Sequence, residues 1–193
     1  MLSVNEAMAE IEQHVQPLDV EPLSLPDAQG LRLAEPIISD IDSPPFDKAL
    51  MDGFAVRAAD VASGTATLPL VDEINAGQVA ARGLETGQAI QIMTGAPMPD
   101  GADAVVRVED CRITSAAPGE PLVEITTAPI VAGRNMISRG TSMRSGEEVL
   151  SAGHRLQPQQ LALLAELGRS QVPVRRRPRV GILATGDELV EID

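Results

Sequence analysis

Residues capable of chemistry are concentrated in four segments, and the clearest of them is Asp47–Ala55. It reads DKALMDGFA and sets acidic side chains around an apolar Met and Phe. One interpretation is an ordinary tight turn with Asp52 and Gly53 at its corner. The other is a carboxylate held on a rigid turn, where it binds Mg²⁺ or a hydroxyl group, since hard cations prefer oxygen ligands.

The other three segments present hydroxyl, amide and cationic groups at the ends of predicted elements. Residues 92–97 (IMTGAP) leave a strand and expose the Thr94 hydroxyl and backbone N–H groups. The Gly-rich loop 133–146 carries three arginines, and residues 185–188 (TGDE) follow a predicted strand. Ligands of α/β proteins bind beyond the carboxyl ends of strands. Each segment on its own is a weak indication of a site.

Several common catalytic signatures are absent from the sequence. It contains no P-loop, no G-x-G-x-x-G and no H-E-x-x-H pattern. Residues 140–144 (GTSMR) lack the second glycine of a nucleophile elbow. Cys111 is the only cysteine, which excludes an intrachain disulfide and a cysteine-based zinc site. His14 and His154 have no nucleophile or metal-ligand partner nearby in the sequence, so we interpret both as structural.

Periodicity places these segments among short strands, with two helices. Ser3 and Glu6 form a capping box before an apolar stripe of helical spacing, which predicts an amphipathic packing helix over residues 3–15. Pro158 begins a second predicted helix that ends at Gly168. Turn residues separate predicted strands at 68–71, 89–93, 104–108, 122–125 and 149–150.

The last part of the sequence has a different character. The run 175–179 (RRRPR) is interpreted as an exposed basic linker, with an anion-binding patch as the alternative. Residues 179–184 (RVGILA) have the pattern of a buried strand in a parallel sheet. Because a parallel strand needs partners for its backbone groups, we expect the chain to be a fragment or a truncated gene product.

Composition excludes several classes of protein. The chain has 28 acidic and 15 basic residues, a formal charge of −13, and no Trp or Tyr. An acidic surface repels phosphate backbones and lacks aromatic rings to stack on bases, so we expect no nucleic-acid partner. The sequence has no signal peptide and no run of the roughly 20 apolar residues that a membrane span needs. It therefore predicts a soluble, cytoplasmic protein with no membrane partner.

Together and in this order, the motifs resemble the N-terminal half of the molybdopterin molybdenumtransferase family, which includes the E domain of gephyrin. The family pattern D-N-S-A-M-D-G-[FY]-A matches residues 47–55 except at Lys48, Ala49 and Leu50. The pattern I-M-T-G-A-P-x-P-x-G-A-D-A-V-V matches residues 92–106 almost completely. The pattern S-T-G-D-E-L matches residues 184–189.

The resemblance implies an α+β fold that is predominantly β. Residues 46–144 would form an irregular, barrel-like β domain inserted in a small mixed α/β domain made of residues 21–45 and 145–170. Residues 1–20 would supply an N-terminal helix. Residues 171–193 would supply a linker and the first strand of a truncated α/β domain of the molybdopterin-binding type.

The resemblance also implies a reaction. The family inserts molybdate into adenylylated molybdopterin, releases AMP and needs a divalent cation such as Mg²⁺. The implied catalytic residues are Asp52, Glu188 and Thr94, and the two carboxylates among them would hold the metal. Substrate-binding roles fall on Gly95, Arg139, Ser142 and Asp187. A homodimer is implied, as is transfer of the pterin from the enzyme that adenylylates molybdopterin.

One loop departs from the family pattern. Where the family has N-I-R-R-R-G-E-D, residues 135–142 read NMISRGTS, so two arginines and the final acid pair are replaced. An anion-binding arginine and a functional carboxylate are thereby lost. We therefore keep a second hypothesis, a non-catalytic binding or dimerisation module of the same fold. We also expect the 193-residue chain alone to have no insertion activity.

Overall fold

Two compact units make up the chain in the computed structural model, which describes residues 2–184, 186, 188 and 190. Unit 1 is built from the chain up to Ile38 and from Glu148 onward, and unit 2 is Ser39–Glu147. Unit 2 is therefore inserted within the sequence of unit 1. None of the helices in the described residues has the length and apolar character needed to cross a bilayer.

Most of the regular structure is β, which confirms the predicted fold class. The helices are α1 (Val4–His14) and α2 (Pro158–Glu166), and two short 3-10 helices are Ala58–Val61 and Val108–Asp110. The strands of unit 1 are β1 (Val20–Ser24), β2 (Arg32–Leu33), β3 (Ile37–Ile38), β12 (Glu148–Leu150) and β13 (Gln171–Arg175). The strands of unit 2 are β4 (Lys48–Ala49), β5 (Gly53–Val56), β6 (Thr65–Ile74), β7 (Ala89–Ile92), β8 (Ala104–Arg107), β9 (Cys111–Ala117), β10 (Glu120–Thr126) and β11 (Met136–Ile137). Both predicted helices are found, as are the five strands predicted between residues 68 and 150.

Unit 1 contains a three-stranded antiparallel sheet in the order β1-β13-β2. Its central strand is β13, whose Val172 and Val174 are buried. The prediction that residue 171 begins a linker is therefore wrong for residues 171–175. Partners on both sides satisfy the backbone groups of β13, although its last residue, Arg175, begins the basic run 175–179.

The strand predicted over residues 179–184 is not formed. These residues have no regular structure, and Ile182 is 90% exposed. A strand requires a neighbour that accepts and donates its hydrogen bonds. Among the described residues, no strand lies beside this segment, so its apolar side chains remain in contact with solvent.

Helix α1 begins with the predicted capping box. The Ser3 hydroxyl accepts a hydrogen bond from the Glu6 N–H at 3.3 Å, and the Glu6 carboxylate accepts one from the Ser3 N–H at 2.7 Å. These bonds lower the pKa of Glu6. The packing role that we expected for α1 is not found within the described part of the chain, because the helix has no buried residue and Val4 is 79% exposed.

Unit 2 contains a six-stranded sheet in the order β8-β5-β7-β6-β10-β9. Neighbouring strands are antiparallel except β6 and β7, which are parallel. In the part of the chain that the structure describes, the edge strands β8 and β9 do not pair with each other, so the expected barrel-like closure is not found. The 3-10 helix Val108–Asp110 separates these two strands along the chain.

The six-stranded sheet carries apolar side chains on both faces, because successive residues of a strand point to opposite sides. In β5, Phe54 and Val56 belong to one buried cluster and Ala55 belongs to the other. In β8, Val106 and Val105 are divided in the same way. This double burial accounts for the continuous apolar runs in both strands and fixes β5 in place.

Candidate functional site

The loop after β7 forms a tight turn. The Ala96 N–H donates to the Met93 carbonyl at 3.0 Å, and Gly95, the third residue of the turn, has a φ of +84°. A turn with a positive φ at this position is of type II and strongly favours glycine. The Gly95 N–H donates to the Ala49 carbonyl at 2.9 Å, which ties the turn to β4. Thr94 is left exposed at the tip of the turn.

Thr94 holds the carboxylate of Asp52 through two hydrogen bonds. The backbone N–H of Thr94 donates to Asp52 Oδ1 at 2.7 Å, and the Thr94 hydroxyl donates to the same oxygen at 2.6 Å. The hydroxyl bond and then the backbone bond lower the pKa of Asp52, against a smaller opposing effect of burial. The structure thus joins two residues predicted from separate motifs. Their pairing produces a fixed, ionised carboxylate on the surface.

The position of Asp52 depends on a close approach of the backbone at Gly53. Gly53 begins β5 and lies between Ile92 of β7 and Arg107 of β8. A Cβ atom at Gly53 would lie 1.9 Å from the carbonyl oxygen of Val106. Only glycine therefore allows β5 to approach β8 this closely, and Asp52 is positioned at the end of that contact.

Arg139 is held by two carboxylates from the segment that precedes β4. Its side-chain Nε donates to Asp42 Oδ2 at 2.6 Å, and its backbone N–H donates to Asp47 Oδ1 at 2.7 Å. Asp42 also accepts a bond from the Ser145 N–H at 2.9 Å. The Ser145 bond and then the Arg139 bond lower the pKa of Asp42. The loop that departs from the family pattern is therefore held by two carboxylates, and its remaining arginine is ion-paired with Asp42.

A cavity of about 390 Å³ lies beside Arg139. Its walls come from Pro45–Asp47, from Met98–Ala102 and from Arg139. Met98–Ala102 belongs to the motif at residues 92–106, and Asp47 is the first residue of the motif at residues 47–55. The cavity thus joins the main sequence motifs with the variable loop in one concave surface that carries both acidic and basic side chains.

The other predicted site residues have different outcomes. Ser142 is exposed on the Arg139 loop, and its backbone N–H donates to the Ser43 carbonyl at 2.8 Å. Glu188 lies in unit 1 and is exposed. Asp187 lies outside the described residues. The structure therefore joins Asp52, Thr94 and Gly95 directly and places Arg139 and Ser142 together on a second loop of unit 2.

The described residues contain no group of three or more His, Cys, Asp or Glu side chains that could hold a metal ion. Mg²⁺ does not require one, because it commonly binds to one or two carboxylates together with substrate phosphates and water. Both hydrogen bonds from Thr94 go to Oδ1 of Asp52, so Oδ2 has no partner in the described part of the chain. Asp52 therefore fits a site in which the substrate completes the coordination of the metal.

The sequence did not predict a role for two residues of this site, Asp42 and Asp47. Asp47 begins a motif, but nothing in its spacing indicates that it binds the backbone of a distant loop. Asp42 and Arg139 are 97 positions apart in the sequence. The one available signal was the opposite charge of the two, and many other acid–arginine pairs in the chain share it.

Asp42→Ala is expected to loosen the Arg139 loop, because it removes the acceptor of the Arg139 and Ser145 bonds. We expect trypsin to cleave after Arg139 or Arg144 about fivefold faster or more, since cleavage follows local opening. Mass spectrometry of timed digests measures this. Glu124→Ala, which removes an exposed carboxylate from β10, is the matched control. Equal cleavage rates in the two variants would show that Asp42 does not order the loop.

Comparison with known families gives a match over most of the chain. The model of the MoeA N-terminal region (domain I and II) matches residues 2–168. A molybdopterin molybdenumtransferase from Bacillus subtilis (strain 168) is 38% identical and aligns with 99% of this chain. The one from Haemophilus influenzae is also 38% identical, over 100% of this chain. The chain spans about 45% of the first relative and 46% of the second.

Solved structures give the same result. The crystal structure of the molybdopterin biosynthesis MoeA protein from Pyrococcus horikoshii OT3 matches with a TM-score of 0.84 and 36% identity. That match covers 98% of this chain and 50% of the archaeal chain. Sequence and structure comparisons therefore agree on the region matched, which is about half of a longer relative.

Proposed function

Because the chain belongs to the MoeA family of molybdopterin molybdenumtransferases, we propose that it contributes to the insertion of molybdate into adenylylated molybdopterin, with release of AMP. The family assigns the chain to molybdenum cofactor biosynthesis. The observation that carries the finer proposal is the Asp52 carboxylate, fixed by Thr94 within the best-matched motif.

In this proposal Asp52 is the metal-binding carboxylate of unit 2. Its Oδ2 atom would hold Mg²⁺ together with oxygens of the substrate. The resemblance to the family also assigns a metal-binding role to Glu188. The ion, when bound, neutralises negative charge on the phosphate groups of the substrate. Thr94 keeps Oδ1 occupied and the carboxylate ionised, so that only one oxygen is presented. The backbone turn at Gly95 keeps Thr94 in place.

The Arg139 loop would bind the anionic parts of the substrate. A guanidinium group has five N–H donors, and the bond to Asp42 uses the one on Nε. The remaining donors of Arg139 and the Ser142 hydroxyl would orient the pterin substrate. The resemblance to the family also assigns a substrate-binding role to Asp187. The proposal includes a cytoplasmic homodimer that receives adenylylated molybdopterin from the enzyme that makes it.

The charge of the Arg139 loop supports a second hypothesis, that of a non-catalytic module. The loop has a single arginine within residues 135–142, and Asp42 already neutralises its charge. Such a loop attracts an anion less strongly than one with several unpaired arginines. A non-catalytic binding or dimerisation module of the same fold is therefore the alternative function.

The test uses a chimaera in which residues 2–193 replace the matching part of the Bacillus subtilis relative. The two are 38% identical over 99% of this chain, so the exchanged regions correspond to each other along their whole length. The readout is molybdate-dependent release of AMP from adenylylated molybdopterin. The intact relative and a chimaera with the relative's own 135–142 loop are the controls.

We expect the chimaera to release AMP when molybdate and Mg²⁺ are present. Release only after the loop is restored would favour the binding-module alternative for this chain. A folded chimaera that stays inactive with either loop would contradict the proposed contribution altogether. Circular dichroism and urea unfolding of the same preparations show whether each chimaera is folded.

A further inference from the structure

Unit 1 has a row of arginines across adjacent strands. Arg32 of β2 pairs directly with Arg175 of β13 on one side. On its other side Arg32 forms an isolated antiparallel bridge with Arg155. Residues directly opposite each other in antiparallel strands carry their side chains on the same face. Three guanidinium groups from distant parts of the sequence therefore share one face of unit 1.

The pairing of Arg32 with Arg155 is of the closer kind. Hydrogen bonds flank the pair, from the Leu33 N–H to the His154 carbonyl and from the Leu156 N–H to the Leu31 carbonyl. This is the non-hydrogen-bonded register, in which opposite side chains are closest. Like charges in such positions repel each other and destabilise a sheet. The proximity of these positive charges therefore lowers the stability of the fold.

Neutralisation of the row within unit 1 is incomplete. Arg32 donates to the Gly153 carbonyl, Arg155 to the Gly30 carbonyl, and Arg175 to the Leu18 carbonyl. Backbone carbonyls orient guanidinium groups but supply no negative charge. In the part of the chain that the structure describes, none of these three arginines forms an ion pair with a carboxylate.

Concave surface adjoins the row. One cavity, of about 630 Å³, is lined by Arg155 and Arg177, and a second, of about 300 Å³, is lined by Arg32, Arg175 and Arg177. Both include Gly30, which has no side chain to fill them. Asp27 is the one carboxylate that lines the first cavity. Positive charge thus outweighs negative charge around a space large enough for a multi-atom anion.

We propose that the arginine row of Arg32, Arg155 and Arg175, together with the neighbouring Arg177, binds a polyvalent oxyanion of the phosphoanhydride type. Planar guanidinium groups donate parallel pairs of hydrogen bonds to phosphate oxygens. Two linked phosphates offer enough oxygens and charge to engage several arginines at once. The site lies in unit 1, and the inference does not depend on the function proposed for Asp52.

Pyrophosphate is the probe, titrated calorimetrically into the 193-residue chain at constant ionic strength maintained with sodium chloride. We expect Arg32→Gln and Arg175→Gln each to weaken binding about tenfold or more, since each removes a charge-assisted contact. Arg177→Gln, which lies outside the strands, is a third variant with the same expectation and no effect on the sheet. Arg112→Gln, on β9 in unit 2, removes one exposed charge elsewhere and should leave the affinity within about twofold.

Competition by ADP would show that the site takes the phosphoanhydride as part of a nucleotide. Failure of ADP to compete would show that it takes the free anion, and both results support the proposal. Two results would overturn it: no binding of pyrophosphate at millimolar concentration, or equal weakening by Arg112→Gln and the site variants. Should Arg32→Gln not fold, Arg177→Gln alone decides between these outcomes.

Discussion

Gly53→Ala is expected to destabilise unit 2 by about 3 kcal/mol or more, because overpacking against a fixed backbone exceeds the usual cost of an added methyl group. The new Cβ atom would lie 1.9 Å from the Val106 carbonyl oxygen and 3.0 Å from the Arg107 Cα. Neither atom belongs to a side chain that can rotate away. Both faces of β5 and β8 are packed, so the strands have no room to separate.

Urea unfolding of the 193-residue chain, followed by circular dichroism, measures this change. The matched control is Gly119→Ala in the β9–β10 hairpin, where a Cβ atom meets nothing within 4 Å. That variant bears only the strain of a positive φ, about 1 kcal/mol. A Gly53→Ala chain that unfolds at the wild-type urea concentration would show that β5 and β8 are further apart than the structure has them.

Asp52→Asn is expected to reduce AMP release by the chimaera about 100-fold or more, as removal of a charge that acts on the substrate commonly does. The amide keeps the shape of the side chain and its Oδ1 can still accept the Thr94 bonds. Only the negative charge is lost. Because the charged form strengthens the Thr94 bonds, we expect a small decrease in the urea midpoint and a chain that stays folded. The Mg²⁺ concentration that gives half-maximal release should rise if Asp52 is a ligand.

Substitutions of Thr94 test the same carboxylate by weakening its hydrogen bonds without removing its charge. Thr94→Val removes the hydroxyl bond to Asp52 and retains the backbone bond. We expect the rate of AMP release to fall about tenfold. The pKa of Asp52 should then rise toward its ordinary value, since the hydroxyl bond is the main cause of its lowering. The acidic limb of the pH–rate profile would therefore move to higher pH. Thr94→Ser should restore both the rate and the profile.

Glu124→Gln, an exposed carboxylate on β10, is the control for loss of one negative charge. It should leave the rate of AMP release and the Mg²⁺ dependence unchanged. If Asp52→Asn behaves like this control, Asp52 has no part in the reaction. The Asp52–Thr94 pair would then be a structural link between β5 and the turn after β7.

Local signals predicted the elements that are formed by local rules. The capping box of α1, the proline at the start of α2 and the apolar runs of β7 and β8 are all short-range patterns, and the structure contains each of them. The pairing of strands that lie far apart in the sequence could not be predicted from such patterns. β4 and β11 contain two residues each and form only because distant parts of unit 2 bring them together.

The same division applies to the candidate site. Asp52 and Thr94 were found because each lies in a distinctive motif, and the structure supplied the bond between them. Asp42 has no motif around it, and its role appears only when the Arg139 loop is folded against it. The prediction placed residues 171–175 in a linker because they lead directly into the basic run 175–179. In the structure they form β13, which pairs with β1 on one side and β2 on the other.

The junction of unit 2 has a consequence for how the chain evolves and folds. Its two ends are joined by hydrogen bonds, from the Ser39 N–H to the Glu147 carbonyl at 2.9 Å and from the Gly146 N–H to the Ser39 carbonyl at 2.8 Å. An insertion whose termini touch imposes little more loop-closure entropy on its host than a short hairpin. Residues 39–147 can therefore change in length or be replaced as one unit. The entropy that unit 1 loses on folding would change little.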